Sequence, residues 1–125
     1  MRYLNHGLLL LPTLICLVMG FRWIIEPAAV APEFGFDLGS GLGRSSQIAD
    51  LASFFLTAAL CSIFALITKN RLFLVPVLML FSIAAGGRTL AWLVHDASFA
   101  SQQIAIEIIF TVLVAIAFRR LGSAA

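Results

Sequence analysis

Charge is what this chain has least of. Of 125 residues only 8 are Lys or Arg and 6 are Asp or Glu, together 11%, against about 25% in an ordinary soluble domain. With 62% hydrophobic residues and a mean hydropathy of +1.06, the composition predicts an integral membrane protein of one domain. A net charge of +2 provides no basic field for nucleic acid. The two cysteines, Cys16 and Cys61, fall in apolar runs and form neither a CxxC pair nor a zinc spacing, so they are read as small buried hydrophobes. No set of His and carboxylates at ligand spacing is present, which argues against haem or di-iron chemistry; no metal site is predicted, and no cofactor is indicated. The glycine run 39–45 is preceded by no strand and followed by no lysine, so it is not read as a phosphate loop. The first apolar run has no small-x-small cleavage site and continues through Trp23, Ile24 and Ile25, so a retained helix is favoured over a signal peptide. Internal repeats and low-complexity tracts are also missing.

What remains are long apolar runs. They predict an all-α, four-helix membrane bundle with spans at about 4–25, 48–67, 72–94 and 99–118, since about 20 apolar residues cross a hydrocarbon core. Pro12 is expected to kink the first helix. Glu26-Pro27 closes it, because the residue before proline is pushed out of the helical region. The stretch 26–47, rich in Gly and Pro with Phe34, Phe36 and Leu38 among them, is read as a loop that folds partly over the helix ends as a lid. Ser45 or Ser46 is the expected N-cap of the second helix. The polar link 68–71 makes the second and third helices an antiparallel hairpin, and 123–125 is read as a frayed tail.

Lys and Arg favour the cytoplasmic side of a membrane. Four spans place Arg2, Lys69, Arg71, Arg119 and Arg120 on one side and Arg22 and Arg44 on the other. The reading is a bacterial inner-membrane protein with both termini cytoplasmic. All the acids, Glu26, Glu33, Asp37, Asp50, Asp96 and Glu107, then fall in the opposite half.

Arg88 stands inside the third apolar run. A guanidinium stays charged there and costs roughly 2.5 to 3.5 kcal/mol at a helix centre, so it calls for a partner. Counted from the helix ends, Arg88 and Glu107 lie at depths of about 9 and 12 Å. The two can meet, and Asp50, in the first turn of the second helix, is within an arginine's reach. Helical spacing gives three polar stripes at this end: Gln103, Glu107 and Thr111; Arg88, Trp92 and His95; Gln47, Asp50, Phe54 and Thr57. These stripes are expected to turn inward, with Gly86, Gly87, Ser82, Ala84, Ala85 and Ala91 packing closely on one helix and Ala49, Ser53 and Thr57 on another. Trp23 and Trp92 are placed in an aromatic belt, and His6 at headgroup level.

Three roles fit such a site. The charges can be an ion pair that fixes helix register. They can form a cavity for a small or lipid-like ligand, with Arg88, Glu107, Asp50, Trp92, Gln103, His95, Arg44 and Asp96 as candidate binding residues. Glu107 can also be an acid or base, although no residue is assigned a catalytic role. An accessory subunit packed on a larger membrane complex, or on a second copy, is the rival to a free-standing binder.

The glycine-rich stretch leading into 43–50 (GRSSQIAD), together with Gly86-Gly87-Arg88 and His95-Asp96, resembles the bacterial DoxX-like superfamily, in its branch of small four-helix proteins of unknown function. The resemblance implies an inner-membrane bundle and a loose association with redox or sulfur metabolism in some relatives. Arg44, Asp50, Arg88 and Asp96 are the matching positions. It implies no catalytic residues, and no redox CxxC is present.

Overall fold

The computed structural model describes residues 2–124. The side chain of Arg2, counted above with one group of cations, and Ala125, in the expected loose tail, lie outside the described residues. Among the described residues the chain is helical, with no strand. Four long helices, α1 (Arg2–Ile25), α3 (Gly41–Thr68), α4 (Leu74–Val94) and α5 (Ser101–Ala124), are joined by short pieces, including the one-turn helix α2 (Pro27–Val30). Three stretches are long and apolar enough to cross a membrane: Tyr3–Ile25, Gly41–Thr68 and Arg71–Val94.

The long helices pack in a ring, α1 against α3 and α5, and α4 against α3 and α5. α1 continues through Pro12, whose side chain is fully buried. At Gly20 the α1 and α3 backbones come close: a Cβ there would lie 2.6 Å from Leu56 Cγ and 3.3 Å from Leu56 N. Gly20→Ala is therefore expected to destabilise the protein by about 1 to 3 kcal/mol through overpacking. Pairing it with Leu56→Ala should recover part of that loss, which thermal unfolding in detergent reads directly.

The main core joins Leu9 and Cys16 of α1 to Ala58 and Ala59 of α3, Val77 and Phe81 of α4, and Phe110 and Val114 of α5. Edge-to-face ring contacts run across it, from Phe54 to Phe81 at 5.8 Å and from Phe81 to Phe110 at 5.3 Å. At the far end of the hairpin Phe64 meets Phe73 at 5.7 Å, so α3 and α4 are antiparallel, as the short link requires. Below that link the Arg71 guanidinium lies 4.8 Å from the centre of the Phe118 ring, a cation–π contact.

The stretch 26–47 differs most from expectation. α3 begins at Gly41 with Ser40 before it, not at Ile48 after Ser45 or Ser46. The physical reason lies in two side chains of the first turns. Gln47 accepts from Gly39 N at 2.7 Å and donates to Asp37 O at 3.2 Å, and Arg44 Nε donates to Gly39 O at 2.8 Å. These bonds tie the incoming chain to the helix and offset the poor helix propensity of Gly41 and Gly43. The segment before them folds back over Trp23, which is 0% exposed against Phe34 and Phe36 at 5.7 and 6.0 Å. Trp23 is thus a core residue, not a belt anchor. Arg22 fastens this fold by donating to Glu26 at 2.7 Å and to Glu33 at 2.6 Å. At the other terminus the helix runs on through Ala124, so the fray expected from Ser123 does not begin there.

Candidate functional site

α4 and α5 bring Arg88 and Glu107 together. Arg88 Nε donates to Glu107 Oε1, across helices whose depths had been matched by counting residues. Glu107 is 7% exposed, while the Arg88 side chain keeps 35% of its surface open. The pair is incomplete on both sides. Among the described residues, Glu107 Oε2 is buried without a donor and the terminal nitrogens of Arg88 have no acceptor. An arginine that serves only to neutralise a carboxylate favours the two-bond fork, and this one leaves most of its donors unused.

The other candidates do not join this pair. Asp50 is exposed on α3 and makes no ion pair among the described residues. Trp92 is 46% exposed and stacks at a tilt on Phe99 at 4.8 Å. His95 is exposed at the end of α4, and Asp96 follows in a left-handed conformation at φ 55°. Gln103 is half-buried on α5 one turn before Glu107. Arg44 is committed to Gly39 O. The inward convergence of three polar stripes is therefore reduced to one ion pair. Thr111 and Thr89 do not extend it, as their hydroxyls donate to Glu107 O and Ala85 O in their own helices. The folded-back segment also covers Trp23, between α1 and α3, not the Arg88–Glu107 pair as a lid would.

The expected small-residue packing is corrected as well. A Cβ at Gly86 or Gly87 would meet nothing within 4 Å. Ser82, Ala49, Ser53 and Thr57 are exposed, and of the predicted packing residues only Ala85 is buried. Close approach is made instead by Gly20, which the sequence reading passed over.

Between α3 and α4 lies an open groove of about 580 Å³, lined by Phe54 and Thr57 on one wall and by Pro76, Met79, Leu80, Ile83 and Ala84 on the other. Its size is that of a small-molecule site, typically about 300 to 1,000 Å³. Sequence reasoning missed it. The available signal was the placement of Thr57 and Ala84, small residues whose outward faces leave room between the two helices.

No family model, curated protein or solved structure matches this chain.

Proposed function

We propose that the chain is a four-span protein of the bacterial inner membrane, with both termini cytoplasmic, that binds a small amphipathic or lipid-like molecule at Arg88 and Glu107. α5 makes the fourth crossing in this reading, and the pair lies in the half away from the cytoplasm. Large apolar side chains on the outer faces support the membrane setting: Leu14, Val18 and Phe21 on α1, Leu60 and Phe64 on α3, Ile109 and Ile116 on α5. The distribution of Lys and Arg supports the orientation. The DoxX-like resemblance belongs to the same proposal and rests on its motif residues.

The observation that carries binding is the half-used arginine, a fixed positive charge with free donors beside an orphaned carboxylate oxygen. Intramembrane ionisable groups mark binding sites by default. The test is thermal unfolding of detergent-purified protein with and without added short-chain phospholipid. A bound ligand at about 100 times its Kd stabilises by about 2.7 kcal/mol. The expected result is a rise in Tm for the wild type that disappears in Arg88→Ala. An equal rise in both proteins, or none in either, overturns the proposal.

Gly86 and Gly87 favour a second reading, because they present bare backbone outward where another protein's helix can approach closely. An accessory subunit of a larger membrane complex would then co-purify with its partner at stoichiometric amounts from native membranes.

A further inference from the structure

The groove between α3 and α4 is walled on one side by the helix that carries the half-used Arg88. α3 and α4 run antiparallel, so falling residue numbers on α3 and rising numbers on α4 lead toward the same end. Asp50 stands four residues before the wall residue Phe54, and Arg88 four residues after the wall residue Ala84. Each is one helical turn, about 5.4 Å, beyond the apolar lining. By register, then, the apolar lining is followed at one end by an acid on α3 and a base on α4. Among the described residues neither charge is spent on the other: Asp50 is exposed without an ion pair, and Arg88 uses only its Nε, on Glu107.

We infer that this groove holds one glycerophospholipid with an ammonium-bearing headgroup, its acyl chain between Phe54 and Leu80, its phosphate on Arg88 and its ammonium on Asp50. The assignment rests on the proposed binding of an amphiphile at Arg88 and adds the chemistry of its head. Charge complementarity selects that chemistry. A purely anionic head satisfies the free guanidinium donors but meets Asp50, and a purely cationic one satisfies Asp50 but meets Arg88. A head carrying both charges matches both walls. From Pro76 to Ala84 the groove follows about 12 Å of α4, at about 1.5 Å per residue, enough to take up a length of hydrocarbon chain. The terminal nitrogens of a guanidinium also suit phosphate oxygens, which accept parallel N–H bonds.

The experiment is native mass spectrometry of the delipidated full-length protein, with phosphatidylethanolamine or phosphatidylglycerol added at equal concentrations. Four proteins are compared: wild type, Asp50→Asn, Arg88→Gln and Thr57→Trp. In the wild type, phosphatidylethanolamine is expected to bind about fivefold more tightly, the worth of one partly screened ion pair. Asp50→Asn should erase that preference and leave both lipids bound. Arg88→Gln should lose both, and Thr57→Trp, which fills the groove from an exposed position, should lose both with no change in the unfolding temperature of the lipid-free protein. Equal binding of the two lipids by the wild type, with both lost in Arg88→Gln, overturns the ammonium assignment and leaves the amphiphile reading in place. Retention of both lipids by Arg88→Gln overturns the two together. Protein dimers in place of lipid adducts, abolished by Thr57→Trp, would assign the groove to a second copy and end the lipid proposal.

Discussion

Replacing Glu107 with alanine is expected to lower the unfolding free energy by about 3 to 5 kcal/mol, the cost of leaving one member of a buried ion pair without its partner. The lower end of that range applies, because the Arg88 side chain keeps 35% of its surface open and is partly screened. Arg88→Ala should cost less. The carboxylate it strands has the option of taking up a proton, whereas a guanidinium stranded by the loss of Glu107 cannot give one away. The double replacement by leucine should return close to the wild type, since apolar side chains of similar volume substitute for buried ion pairs at little or no loss. Denaturant or thermal unfolding of the wild type, Arg88→Leu, Glu107→Leu and the double leucine variant in one detergent measures the coupling directly. Single losses that simply add in the double variant would show that the two charges do not interact, and the site would have no basis.

The second large effect is at the opposite corner of the molecule. Trp23→Ala removes a side chain that is 0% exposed and held between Phe34 and Phe36, and it should cost about 3 to 5 kcal/mol. The loss has a local signature. Trp23 anchors the fold-back of residues 27–36, so protease sites in that segment should open before the four long helices unfold. Trp23→Phe should be far milder, at about 1.5 kcal/mol or less, because the indole nitrogen has no acceptor among the described residues and only volume is lost. Limited proteolysis beside a melting curve separates the two variants. If the segment resists cleavage equally in wild type and Trp23→Ala, the ring does not hold it in place.

The helices were legible because apolar runs of the right length leave the backbone few alternatives. The Arg88–Glu107 contact was legible because depth along a helix is a count of residues, and both ends were marked by polar turns. Helix rotation was not legible. Spacing tells which residues share a face, as Arg88 and Trp92 do, but which way that face turns is set by packing at places such as Gly20 against Leu56 and Phe54 against Phe81. Asp50 and the small residues Ser82, Gly86 and Gly87 consequently look outward. The start of α3 was hidden for another reason: Gln47 and Arg44 bind the backbone of the loop before them, and no rule of composition signals such a bond across eight residues or five. Trp23 was misplaced because its neighbours Phe34 and Phe36 reach it only after the chain has reversed.

One detail of the helix surfaces bears on how α4 and α5 hold each other. Ser82, Thr89 and Thr111 spend their hydroxyls on carbonyls of their own helices, at 2.6, 2.9 and 2.7 Å. None of these hydroxyls stitches one rod to the next, so cohesion here draws on shape and on the ionic clasp of Arg88 and Glu107. Any occupant that pulls on the free side of Arg88 tugs on that clasp too, and the grip between the last two rods becomes a gauge of whether the seat beside them is filled.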